Sequence, residues 1–155
     1  MPWLQPETIK LASFILTSHE KAFGYKLFKH ENTTNSNQIN SKKLFSLNKI
    51  VLSHDNTNDP LINYSNALAL KLWDKTWAEM IGMPSRLTAP KNEQKKRARV
   101  IKDALLKDFS IGYDGIRVSG KGVLFRIKNV RIWKIWDENS NEYGQAATFS
   151  DWDWV

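Results

Sequence analysis

Tyr113-Asp114-Gly115-Ile116-Arg117-Val118-Ser119 opens a run of three β-strands that fills the last third of the chain. Ser119-Gly120-Lys121-Gly122 has the composition of a hairpin turn. After it, Val123, Phe125 and Ile127 alternate as a strand with one buried face requires. The apolar phase then slips to Val130 and Ile132, which predicts a bulge near Asn129. Asp137-Glu138-Asn139-Ser140-Asn141 is a turn by composition, and Gly144-Gln145-Ala146-Ala147-Thr148-Phe149 is the last strand.

Upstream of this run, the apolar spacing changes to that of helices. Pro90 suits the first turn of a helix that runs to about Phe109. The inner face of that helix is expected at Ala98, Ile101, Leu105 and Phe109. Its outer face carries Lys91, Lys95, Lys96, Arg97, Arg99, Lys102 and Lys107. Met83-Pro84 breaks a preceding helix, because proline disfavours a helical residue before it. That preceding helix is capped by Ser65 or Asn66, with Trp73 and Trp77 stacked along one side. Earlier still, residues 44–53 and 61–64 read as two strands joined by the turn 54–60. Residues 7–29 read as an amphipathic helix, with Leu11, Phe14, Ile15 and Ala22 on one side. His30 to Lys43, rich in Asn, Ser and Thr, lacks apolar periodicity and reads as a mobile connection. Two strands, helices and three strands pack most simply as a five-stranded, mostly antiparallel sheet with helices on one face, plus the N-terminal helix. The expected organisation is an N-terminal helix and flexible connection over 1–43, then one α+β domain over 44–155.

The composition narrows the function. At 155 residues the chain suits one domain with its own core. It has no Cys, so no disulfide, thiol nucleophile or thiolate metal site is available. The net charge of +7 permits an anionic partner. Leu11 to Leu16 is too short to span a membrane. The N-terminus, with Pro2, Trp3 and Glu7, does not resemble an export signal, so a cytoplasmic protein is expected.

Several blocks of wording go beyond hydrophobic pattern. The first half contains Asp59-Pro60, Asn63-Tyr64-Ser65-Asn66-Ala67, Leu70, Thr76-Trp77-Ala78-Glu79 and Pro84-Ser85-Arg86-Leu87-Thr88-Ala89. The second half contains the Tyr113–Ser119 block, Phe125-Arg126-Ile127, Trp133, Asp137 and Gly144–Phe149. In this order, over about residues 45–152, they resemble the MEKHLA domain, a PAS-like family. That family occurs as stand-alone bacterial proteins and at the C-terminus of plant homeodomain-leucine zipper transcription factors. The resemblance implies a PAS-like fold and a sensory or interaction role, with no catalytic residues to carry over. The Met-Glu-Lys-His-Leu-Ala string that names the family is absent, as are a homeodomain and a zipper, so a role in transcription is not implied.

Candidate chemistry is sparse. His19, His30 and His54 lack metal-ligand spacing, and no Gly-x-Ser-x-Gly elbow or phosphate-cradling loop is present. A PAS-like fold implies a cavity between helices and sheet, and the residues expected to line it are Asn66, Trp77, Arg86, Arg117, Trp133 and Gln145. An inward Arg needs an acceptor, which is either a structural carboxylate (Asp59, Glu79 or Asp137) or a ligand carboxylate. Haem is disfavoured because no His falls on the flanking helices, and a covalent flavin would need a Cys. The cofactor is left unknown. The expected activity is non-catalytic: binding of a small molecule, of a protein partner, or both. A homodimer built on residues 7–29 and the C-terminal Trp152 and Trp154 is one form of partner. The alternatives are a nucleic-acid-associated or dimerisation module, acting through the basic helix, and a small enzyme using the cavity.

Overall fold

The computed structural model describes residues 1–30 and 33–155. It contains helices α1 (Pro6–Phe23), α2 (Ser36–Phe45), α3 (Ala67–Trp73), α4 (Trp77–Met80) and α5 (Gln94–Lys107). Its strands are β1 (Ile50–Asp55), β2 (Ile62–Ser65), β3 (Phe109–Val118), β4 (Leu124–Trp136), β5 (Glu142–Phe149) and β6 (Asp151–Trp154). The strands form one antiparallel sheet in the order β2-β1-β5-β4-β3, and β6 lies along the first half of β4. The sheet therefore has the five expected strands and one short addition. Through β6, Trp152 reaches Phe149 and Trp154 reaches Phe125 in edge-on ring contacts.

Strand alternation sends side chains to two cores. One, facing α1, holds Leu11, Ile15, Leu16, Leu44, Val51, Tyr64, Trp133 and Ile135. The other, facing α3 and α5, holds Ile50, Ile62, Leu72, Trp73, Ala104, Phe125, Ile127, Val130, Ile132 and Phe149. Helices α3 and α5 thus cover one face, and the N-terminal helix crosses the other.

Local chemistry sets the boundaries. Helix α1 ends at Phe23, short of the expected residue 29, because Gly24 adopts φ 79° and its N–H bonds back to the Glu20 carbonyl. Helix α2 occupies much of the segment expected to be a mobile connection; residues 31 and 32 of that segment lie outside the described residues. Its sequence has no apolar stripe. It is held by tertiary contact, with Phe45 stacked on Trp3 at 4.1 Å. Leu44 and Phe45, expected in the first strand, belong to this helix. Asn66 caps α3 by accepting from the Ala69 N–H. Asp74, at φ 55°, ends α3, and a reciprocal Thr76–Glu79 capping box starts α4. Trp73 and Trp77 therefore lie on separate helices and in different cores, not in one stack.

The predicted bulge is present. Asn129 has φ 52°, its N–H donates to Asp114 at 2.8 Å, and β4 gains one residue against β3 between Ile127 and Val130. A compensating irregularity on β3 falls between Ser110 and Tyr113, where Gly112 has φ 80°.

Candidate functional site

Between α5 and the sheet lies a cavity of about 60 Å³, walled mostly by apolar side chains, among them Leu52, Trp73, Ile101, Ile132 and Phe149. Its polar lining consists of Ser53, His54, Thr88, Arg97, Tyr113, Arg117 and Gln145; no Asp or Glu is among the lining residues.

Strand β3, the β1–β5 pair and helix α5 place these groups. On β3, residues 113, 115 and 117 share one face, because strand side chains alternate. Gly115 has no side chain, so Tyr113 and Arg117 meet above it; a Cβ there would collide with the Tyr113 hydroxyl and Arg117 Nη1. Arg117 donates to the Tyr113 hydroxyl from both Nη1 and Nη2, each at 3.3 Å, and from Nη1 to the Ile116 carbonyl at 2.9 Å. Arg117 is buried and has no carboxylate partner among the described residues.

His54 on β1 lies opposite Gln145 on β5. Gln145 donates through Nε2 to the Ile101 carbonyl of α5 at 3.1 Å, which turns its Oε1 toward His54 Nε2 at 3.2 Å. His54 Nδ1 stands 2.8 Å from the Asp55 carbonyl oxygen. Both ring nitrogens thus face acceptors, an arrangement suited to the doubly protonated ring. Burial acts the other way and lowers the His54 pKa, although the Asp55 hydrogen bond raises it.

The phase of α5 differs from the expected one. Ala98 is exposed, and Arg97, Val100, Ile101 and Ala104 face the core. Positions 97, 101 and 104 share a helix face, so Arg97, expected on the outer surface, reaches the cavity. It makes no hydrogen bond or ion pair with another described residue. Burial, with the neighbouring charge of Arg117, lowers its pKa to about 9, which leaves it cationic at neutral pH.

Of the six residues expected to line a cavity, the structure brings together Arg117 and Gln145. Asn66 is buried but spends its side chain on backbone, accepting from Val51 and Ala69 and donating to Lys49. Trp77 packs on Tyr64 and Trp3 at the α1 side. Trp133 also faces α1, donating its indole N–H to the Ile15 carbonyl at 3.2 Å. Its neighbour Ile132 faces the cavity instead. Arg86 is half exposed and bonds Asp59 at 3.2 Å, the structural pairing the sequence left open for it. Arg97, His54 and Tyr113 were not singled out from the sequence. Gly115 between Tyr113 and Arg117 was the available signal for Tyr113, and helical phase was the signal for Arg97.

Among the described residues, no group of three or more His, Asp or Glu could hold a metal ion, and no helix is long and apolar enough to cross a membrane.

A family model described as the MEKHLA domain matches residues 9–154. No curated protein matches the chain in sequence. Among solved structures, the PAS domain of a protein from Colwellia psychrerythraea is similar, with TM-score 0.64 at 13% identity, over 76% of this chain and 95% of that one. A Light-Oxygen-Voltage domain studied with a flavin analogue has TM-score 0.59 at 14% identity, over 79% and 88%. An RNA-binding Light-Oxygen-Voltage receptor has TM-score 0.65 at 13% identity; the match covers 76% of this chain and 33% of the receptor. At these identities the likeness is one of fold.

Proposed function

The chain belongs to the MEKHLA domain family and has a PAS-like fold, and on that footing we propose that it is a non-catalytic sensory module which takes a small molecule into the cavity beneath α5. The observation that carries this reading is the convergence of Arg97, Arg117, Tyr113, His54 and Gln145 on one small apolar cavity. The site is suited to holding rather than transforming. Both His54 nitrogens are engaged, and no carboxylate or thiol lines the walls to act as base or nucleophile. A flavin held through a cysteinyl adduct is not available to this chain, which has no Cys.

Gln145 links the cavity to α5 through the Ile101 carbonyl, so occupancy has a direct route to the position of that helix. The receiver of the signal is a protein partner, which includes a second copy of the chain, and the setting is the cytoplasm. Native mass spectrometry of the purified protein, before and after mild denaturation, tests the reading. A small molecule lost on denaturation, and absent from the cavity-filling variant Ala147→Phe, is expected. An empty protein that no small solute stabilises overturns it.

The outward face of α5 supports a second role. Lys95, Lys96, Arg99, Lys102 and Lys107 are all exposed there, without an ion pair to a described residue. Such a face suits nucleic-acid phosphates, and retention on duplex DNA that weakens steeply with salt is its test.

A further inference from the structure

Resting on the reading of the cavity as a ligand site, we propose that its ligand is a short-chain monocarboxylate, with the carboxylate held between Arg97 and Arg117 and the alkyl end against the apolar wall.

Charge is the first ground. Two guanidiniums line one cavity whose wall contains no acid. Lys134, buried beside Trp136, shows the contrast: it sits 3.0 Å from Asp108 and 2.9 Å from Glu142. Arg117 is equally buried, yet its acceptors are a phenol and a backbone carbonyl. Arg97 has none among the described residues. Two like charges brought together without a counter-charge are costly, and a bound anion removes that cost through charge-assisted hydrogen bonds.

Shape and wall supply the rest. At about 10–15 Å³ for each water-sized occupant, the cavity holds on the order of four to six heavy atoms. That matches acetate, propionate or butyrate better than a nucleotide or a tricarboxylate such as citrate. Ile101, Ile127, Ile132 and Phe149 give an apolar end that inorganic anions cannot use. The planar guanidinium fork matches a carboxylate. The Tyr113 hydroxyl, already an acceptor from Arg117, keeps its own proton for a second hydrogen bond to the anion.

Calorimetric titration and thermal melting of the full chain with sodium propionate, with propionamide as the neutral isostere and with sodium nitrate as an apolar-free anion, test the proposal. Saturable binding of propionate is expected, at least tenfold tighter than propionamide or nitrate. Arg97→Gln and Arg117→Gln should each weaken it at least tenfold. Propionamide binding as well as propionate overturns the carboxylate assignment but leaves the cavity reading standing. Equal responses to nitrate and propionate overturn the alkyl end. No binding of any of the three, together with an empty protein in native mass spectrometry, overturns both readings. The comparison of propionate with propionamide uses the unaltered chain, so it decides the matter even if an arginine variant does not fold.

Discussion

The Tyr113 hydroxyl accepts both terminal nitrogens of Arg117, each at 3.3 Å, across the bare backbone of Gly115. The Arg117 guanidinium also lies over the Tyr113 ring, 5.4 Å from its centroid. A buried guanidinium is thereby aimed at the cavity by an oxygen that carries no charge, so its own charge is left for something else to neutralise.

Tyr113→Phe removes that acceptor and leaves two buried donors unpaired. The expected loss is about 1–3 kcal/mol, the usual cost of stranding a buried polar group. Gly115→Ala should cost a similar amount by pushing the two side chains apart. Urea unfolding of each variant, read as a fall in midpoint at unchanged slope, checks both. A Tyr113→Phe protein as stable as the parent would show that water or ligand already satisfies Arg117.

Asn66 is fully buried and joins three elements: β1, α3 and, through the Leu44 carbonyl, α2. Its Oδ1 accepts from Val51 and Ala69, and its Nδ2 donates to the carbonyl of Lys49 at 2.6 Å. Asn66→Ala should cost about 2–4 kcal/mol, the loss of a helix cap plus stranded backbone groups on β1. Asn66→Ser should recover only the cap, because its hydroxyl is too short to span to Lys49. Equal midpoints for the two variants would reduce Asn66 to a simple cap.

Gly144 on β5 pairs with Asp55 at the end of β1. A Cβ there would run into the His54 carbonyl oxygen, which is backbone and cannot swing away. Gly144→Ala should therefore cost about 3 kcal/mol or more, the range of severe core lesions. Gly24→Ala, with open space around it and only a φ of 79° against it, should cost about 1–2 kcal/mol. Melting temperatures of the two variants should fall in that order, and the reverse order would mean that β1 and β5 can separate locally at little cost.

Much of the sheet was legible because its signals are local. The 119–122 turn, the slip of phase at Asn129 and the Asn66 cap all depend on neighbours within a few residues. The faces were harder. Trp133 and Ile132 differ by one position, and the sheet buries both sides, so the apolar pattern alone does not say which side meets α1. Arg97 was misread for a related reason. Its charge argued for solvent, but a one-residue change of helical phase puts its long apolar stem into the core. Arg86 is expected to line the cavity, whereas the turn at Ser85–Thr88 points it at Asp59 on the surface. Helix α2 was invisible because its stability comes from Trp3 and α1, not from its own pattern.

His19 sets the last prediction, on acid stability. It is fully buried against Trp133 and Phe23. Its Nδ1–H donates to the Tyr25 carbonyl at 3.1 Å, and its Nε2, 3.2 Å from Arg131 Nη2, must accept. That pattern requires the neutral ring. Burial first, and then the charge of Arg131, lowers its pKa to about 4 from an ordinary 6.5. Between these two values the unfolded chain binds a proton that the folded chain refuses, so stability falls as pH falls from 6.5 to 4. The full difference is on the order of 3 kcal/mol. His54 and His30, also lowered chiefly by burial, act with the same sign. The depressed carboxylates Asp55 and Asp137 add their loss only below about pH 4, outside this window. Urea midpoints measured from pH 7.5 to 4.5 should therefore decline, and His19→Gln, less stable at pH 7.5, should show a visibly shallower decline. Parallel slopes for the two proteins would mean that His19 protonates in place, with Arg131 swinging away to admit the charge.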